Sequence, residues 1–125
     1  MKTYDPNQIP DPELWAEMDE AVRLELVSAY HQSSGIDLPN ITLHAAFHTI
    51  VENQLAEGLD EVQTTLDRLL GEGLDRHDAI HAIGSVVVGQ VHGILQDSPP
   101  AQDQSQAYFQ ELEKLTAKKW LQSGQ

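Results

Sequence analysis

The chain of 125 residues contains no cysteine. Disulfide bonds, thiolate metal sites and cysteine catalysis are therefore excluded, and any bound metal ion must be held by imidazole or carboxylate groups. The N-terminal residues MKTYDPNQIPDPELW include no apolar stretch of signal-peptide length. We therefore expect a cytoplasmic protein, and the absence of cysteine fits a reducing compartment.

Basic residues are scarce, with seven lysines and arginines against twenty acidic residues and a formal net charge of -13. Nucleic acids and anionic membranes bind basic surfaces, so this charge opposes both kinds of partner. The sequence also has no run approaching the roughly eighteen apolar residues that a membrane span needs. We therefore expect neither nucleic acid nor membrane as a partner.

Apolar residues recur at three- and four-residue spacing along most of the chain, which is typical of amphipathic helices. A chain of this length fits one hydrophobic core, and we expect residues 1–125 to form a single helical domain. The expected fold is all-α, a compact bundle of four to five helices that follows an irregular, proline-containing lead-in at residues 1–10. The periodicity predicts helices near residues 12–31, 40–57, 59–70, 76–96 and 103–121.

Two short corners separate the central three helices. The sequence Glu-Gly-Leu-Asp occurs at residues 57–60 and again at residues 72–75. Gly58 and Gly73 suit the left-handed residue that ends many helices, and short connections favour antiparallel neighbours. We therefore expect an up-down-up arrangement of these three helices.

Four of the six histidines form two His-x-x-x-His pairs within a histidine-bearing core at residues 40–95. His44 and His48 make the first pair, and His77 and His81 make the second. Residues four apart share one face of a helix, so each pair presents two imidazoles side by side. The helix between the two glycine corners has about twelve residues and climbs about 18 Å. It therefore returns the chain to the level of the first histidine pair before the second pair begins. The pattern predicts one divalent metal ion held between two helices by all four histidines.

Glu52 lies one helical turn after the first histidine pair. Its carboxylate is a candidate metal ligand, an acceptor that fixes the tautomer of a histidine, or a general base for a metal-bound water. An ordinary surface carboxylate is the alternative.

Zinc is the first choice of metal because imidazole-rich sites suit it, and nickel, copper and iron accept the same donors. Four histidine ligands would close the coordination sphere of a structural ion. An open position would instead permit hydrolytic or redox chemistry, with Glu52 assisting. The sequence leaves these alternatives open, and it leaves open whether the protein is an enzyme.

A different class of function is a non-enzymatic interaction module, in which the histidines form a buried polar cluster without metal. The helix over residues 76–96 contains Gly84, Gly89 and Gly93. Glycine lowers helix stability, so its presence indicates close approach of a neighbouring helix. That neighbour belongs either to the same chain or to a second copy in a homodimer.

Two blocks of this sequence resemble a small bacterial family, the 1841st of the catalogued domains of unknown function. The blocks read LHAAFHTIVENQLAEG, from residue 43, and RLLGEGLDRHDAIHAIGSV, from residue 68. The resemblance covers roughly residues 40–95 and includes both histidine pairs and the Glu-Asn-Gln sequence at residues 52–54. It implies a helical fold and supplies neither a substrate nor a catalytic residue.

Overall fold

The computed structural model describes residues 3–33, 41–96 and 104–122. Within these three segments the chain forms seven α-helices and no β-strand, which confirms the expected all-α bundle. The helices are α1 (Pro12–Glu17), α2 (Glu20–Ser33), α3 (Ile41–Ala56), α4 (Asp60–Gly71), α5 (Arg76–Gln96), α6 (Gln104–Lys114) and α7 (Ala117–Gln122). The predicted helix starts at residues 40 and 103 lie outside the described segments.

The first predicted helix is two helices, because the backbone becomes extended at Met18, with φ -79° and ψ 145°. The guanidinium of Arg23 donates hydrogen bonds to the carbonyl oxygens of Ala16 and Met18, at 2.9 and 3.0 Å. These bonds satisfy carbonyl groups that the end of α1 leaves without helical partners. An arginine from the following helix thus stabilises the break.

The last predicted helix is also divided, at residues 115–116 between α6 and α7. Arg68 of α4 donates to the carbonyl oxygens of Leu112 and Leu115, at 2.8 and 2.6 Å. Glu72 accepts a hydrogen bond of 2.8 Å from the backbone N–H of Ala117, where α7 begins. That bond, together with Arg68, holds the pKa of the Glu72 carboxyl below its ordinary value. The two breaks explain why there are more helices than the predicted four to five.

The two glycine corners have the predicted left-handed backbone. Gly58 has φ +78° and Gly73 has φ +107°. At each corner the residue after the glycine closes a six-residue turn, with Leu59 donating to Gln54 at 3.0 Å and Leu74 donating to Leu69 at 3.2 Å. Both helices therefore end in the Schellman arrangement, which orders the chain reversal locally.

The buried apolar side chains of the described segments form two groups. The larger group contains side chains from all five helices from α3 through α7. The smaller group contains side chains from the N-terminal segment, α1, α2 and α3. Helix α3 contributes Val51 to the larger group and Ala45 to the smaller, with His48 between them in the chain. The larger group includes Val51, Leu66, Leu69, Ile80, Ile83, Leu112 and Trp120. Helix α4 packs against both α3 and α5.

Residues 3–10 form no helix, yet they pack against the bundle. Tyr4 and Pro6 are buried. The carbonyl oxygen of Pro6 accepts a hydrogen bond of 2.9 Å from Arg76, and the side chain of Asn7 accepts one of 3.0 Å from the backbone N–H of His77. This N-terminal segment therefore lies across the start of α5 and satisfies one of its first N–H groups.

No helix formed by the described residues combines the length and the apolar character that crossing a membrane requires.

The glycines of α5 differ in their surroundings. A Cβ atom at Gly84 would lie 4.0 Å from a methyl group of Val51, whereas one at Gly89 would have no neighbouring atom of the described residues within 4 Å. Within the described part of the chain, the expected close neighbour therefore exists at Gly84 and is absent at Gly89. The side-chain surroundings of Gly93 lie outside the described part of the chain.

We predict opposite effects on stability for two glycine-to-alanine substitutions. Gly73→Ala places a side chain in a left-handed backbone and should lower the free energy of unfolding by about 1–2 kcal/mol. Gly89→Ala should raise it by about 0.5–1 kcal/mol, because alanine favours helix and the site is open. Urea denaturation measures both changes. A destabilising Gly89→Ala would contradict the open site and indicate that a second copy covers this face.

Candidate metal centre

Three histidines on two helices bring their ligand atoms together. One ring nitrogen from each of His44, His48 and His81 lies within 4.8 Å of the others. His48 is buried, with 2 % of its surface exposed, and the other two rings are half-buried. Helix α3 supplies the first two rings because they are four residues apart, and α5 supplies the third.

The fourth predicted histidine, His77, contacts this group through His81. The Nε2 atoms of His77 and His81 are 2.9 Å apart, and the His77 ring stacks on His48 with 5.6 Å between ring centroids. His77 is outside the set of three whose ligand atoms all approach one another. Its Nε2 is nevertheless one hydrogen bond away from that set.

The first histidine of the α3 pair, His44, faces the second histidine of the α5 pair, His81. His44 Nε2 lies 2.8 Å from His81 Nε2, and farther along α3 the carboxylate of Glu52 meets Arg76, at the beginning of α5. Later residues of α3 thus contact earlier residues of α5 in this region. The sequence predicts two pairs at one level, and the structure adds which rings face each other.

The distances between these ring nitrogens are those of hydrogen bonds. Metal–nitrogen bonds of about 2.1 Å in a tetrahedral site place two ligand nitrogens about 3.4 Å apart. The Nε2 atom of His81 lies closer than that to its neighbours, at 2.8 Å from His44 and 2.9 Å from His77. Binding a tetrahedral ion would therefore require these ring nitrogens to move apart by about half an ångström.

Glu52 is buried, with 2 % of its surface exposed, and it forms an ion pair instead of joining the three histidines. Its two carboxylate oxygens accept hydrogen bonds from the two terminal nitrogens of Arg76, both at 2.8 Å. The hydroxyl of Tyr4 donates a further short hydrogen bond to the same carboxylate. The interpretation of Glu52 as an ordinary surface carboxylate is wrong, because its side chain is buried and paired.

Tyr4 connects the ion pair to the histidines. Its hydroxyl oxygen lies 2.6 Å from Nε2 of His48 while its hydrogen is directed to Glu52. Burial, followed by the negative charge of Glu52, raises the pKa of the Tyr4 hydroxyl above its ordinary value. Tyr4 therefore remains a neutral phenol. A continuous chain of hydrogen bonds runs from Arg76 through Glu52 and Tyr4 to His48.

Arg76 and Glu52 neutralise each other inside the protein. Burial acts to lower the pKa of Arg76, but the contacts with Glu52 outweigh it and the pKa is raised. Arg76 thus keeps its charge, and two parallel hydrogen bonds to Glu52 fix the geometry of the pair. A buried carboxylate without such a partner would be strongly unfavourable.

Tyr4 and Arg76 were not predicted as site residues. Tyr4 lies in a polar segment without periodicity, 44 positions from His48, so no local pattern identifies it. The sequence gives one indication of Arg76, which is the sole lysine or arginine of positions 69–113. A buried Glu52 needs a cation, and few were available.

The two residues that follow Glu52 in the chain, Asn53 and Gln54, attach other helices to α3. The side-chain oxygen of Asn53 accepts a hydrogen bond of 2.8 Å from the indole of Trp15, in α1. The side-chain oxygen of Gln54 accepts one of 2.7 Å from Tyr108, in α6. Three consecutive polar side chains point in three directions around α3, since each residue turns about 100° along a helix.

No family model matches the chain, and neither a curated protein nor a solved structure matches it. The resemblance to a bacterial family of unknown function therefore stays a prediction.

We predict that Glu52→Gln lowers the free energy of unfolding by about 3–5 kcal/mol, because it leaves the buried Arg76 charge without its partner. Glu111→Gln is the matched control. It breaks an ion pair with Lys114 whose side chains are 50 % and 68 % exposed, and it should cost less than about 1 kcal/mol. Urea denaturation of the metal-free protein compares the two. Equal losses would contradict the assigned importance of the buried pair.

Proposed function

We propose that the protein binds one divalent transition-metal ion between α3 and α5. His44, His48 and His81 are the proposed ligands. The observation that carries the proposal is that ligand atoms from two helices lie within 4.8 Å of one another at a largely buried position. Neutral imidazoles are the commonest protein ligands for such ions.

Zinc is the metal that best suits this donor set. Imidazole nitrogen binds zinc, nickel, copper and iron, whereas calcium and magnesium prefer sites built from oxygen atoms. The proposed ligands are all imidazoles, and the chain contains no thiolate to compete for the ion. Zinc also accepts a tetrahedral arrangement of three or four imidazoles.

His77 decides the class of site. Its Nε2 atom, 2.9 Å from that of His81, is close enough to become a fourth ligand after a small ring movement. Four histidines would make a closed, structural centre, whereas three would leave a position for water or a substrate atom. We assign no base role to Glu52, because both of its oxygens already accept hydrogen bonds from Arg76.

A metal-free histidine cluster in an interaction module is the second candidate. The separations of 2.8 and 2.9 Å between Nε2 atoms favour it, because they allow direct hydrogen bonds between rings. Val88 is 43 % exposed and Gly89 beside it has open space, so α5 has an apolar position for a second copy.

We predict that protein purified without an affinity tag contains close to one equivalent of a transition metal by elemental mass spectrometry. His48→Ala and His81→Ala should each reduce this content to a small fraction, because each removes a proposed ligand. His31→Ala is the control, since His31 lies outside both sequence pairs. His77→Ala should abolish binding in a four-histidine site and should retain most of it in a three-histidine site.

The opposite result would be a metal-free protein whose melting temperature responds neither to added zinc nor to a chelator. It would overturn the proposed metal site and support the metal-free cluster.

We also predict that zinc affinity falls as the pH is lowered below about 6, because imidazole must lose its proton to bind a metal ion. Competition with a chromophoric chelator between pH 5 and pH 8 measures the affinity. An affinity that is constant over this range would exclude imidazole ligands.

A further inference from the structure

The hydrogen bonds around Tyr4 determine which nitrogen of His48 carries a proton. Both carboxylate oxygens of Glu52 accept hydrogen bonds from Arg76, so Glu52 acts as a hydrogen-bond acceptor toward its neighbours. The hydroxyl of Tyr4 has one hydrogen, and it is donated to Glu52. The oxygen of Tyr4 must then act as acceptor toward Nε2 of His48, 2.6 Å away. Nε2 is therefore the protonated nitrogen of this ring.

A neutral imidazole has one protonated nitrogen and one with a lone pair. With the proton of His48 on Nε2, the lone pair is on Nδ1. His44 and His81 differ from His48 in this respect, because their Nε2 atoms face each other at 2.8 Å. Nε2 of His48 is thus occupied by its bond to Tyr4, whereas Nε2 of His44 and Nε2 of His81 face the centre of the cluster.

We infer that Tyr4, Glu52 and Arg76 hold His48 as the Nε2–H tautomer, so that His48 binds the metal ion through Nδ1 while His44 and His81 bind it through Nε2. The tautomer follows from the hydrogen bonds alone, and the choice of ligand atom rests on the proposed metal site. Tyr4 is a positioning residue here. It orients a ligand ring and transmits the charge of Glu52 to it, which raises the basicity of the ligand nitrogen.

The burial of this hydrogen-bond chain supports the inference. His48 and Glu52 are each 2 % exposed, and Tyr4 and Arg76 are also buried, so water competes little for these bonds. A histidine in water, by comparison, exchanges between its two neutral tautomers.

Nuclear magnetic resonance of the full-length, ¹⁵N-labelled protein tests the tautomer directly. Long-range ¹H–¹⁵N correlation at about pH 8 distinguishes the protonated from the unprotonated ring nitrogen of a neutral histidine. The His48 signals are those that disappear in His48→Gln. We expect a protonated Nε2 and an unprotonated Nδ1 in the metal-free protein. A protonated Nδ1 would overturn the inference, and no substitution at Tyr4 is needed for this result.

The ligand atom is tested with ¹¹³Cd²⁺ as the probe, because its coupling to the bound nitrogen identifies that atom. Coupling to Nδ1 of His48 is expected, and coupling to Nε2 would overturn the assignment. If neither ¹¹³Cd²⁺ nor zinc binds, the proposed function and the Nδ1 assignment both fail. The tautomer measurement still decides the role of Tyr4, so the two failures are distinguishable.

Tyr4→Phe removes both hydrogen bonds of the phenol while keeping its ring. We expect zinc affinity to fall about 10–100-fold and the metal-free His48 signals to show a mixture of tautomers. Tyr108→Phe is the matched control, since it likewise removes a phenol hydroxyl, and the hydroxyl of Tyr108 donates to Gln54. It should leave both readouts unchanged. A folded Tyr4→Phe protein with unaltered tautomer and affinity would overturn the inference.

Discussion

The buried ion pair between Glu52 and Arg76 is the interaction on which the site depends. A carboxylate with 2 % exposure needs a cation and well-aligned donors, and Arg76 supplies both through two hydrogen bonds of 2.8 Å. The pair joins α3 to the start of α5. Since the histidines lie within one or two turns of these residues, the same contact determines how the imidazole faces of the two helices meet.

The N-terminal segment is attached to the bundle by the same pair. The carbonyl oxygen of Pro6 accepts a hydrogen bond from Arg76, and the hydroxyl of Tyr4 donates one to Glu52. The segment in turn connects the ion pair to His48. The buried pair of Glu52 and Arg76 therefore joins two helices, holds the irregular N-terminal segment and, through Tyr4, orients the ring of His48.

The central helices could be predicted closely because their signals are local. The helix predicted over 40–57 is Ile41–Ala56, the one over 59–70 is Asp60–Gly71, and the one over 76–96 is Arg76–Gln96. Glycine corners and 3.6-residue periodicity need no distant partner. The outer helices were predicted as continuous, because their breaks are stabilised by arginine side chains whose targets no periodicity identifies. Arg68 reaches a carbonyl group 47 positions away.

In the candidate site, too, the residues with a local sequence pattern could be predicted and those brought together from distant parts of the chain could not. The residues His44, His48, His77 and His81 could be singled out from i,i+4 spacing, and the structure brings three of them together with the fourth in contact. Glu52 was identified without its partners, because Tyr4 and Arg76 meet it across 48 and 24 positions of chain. The most direct measurement of the proposed centre is X-ray absorption at the zinc K edge of the zinc-loaded protein. Three or four imidazole nitrogens at about 2.0–2.1 Å are expected, and a shell of oxygen atoms without imidazole scattering would contradict the proposed ligands.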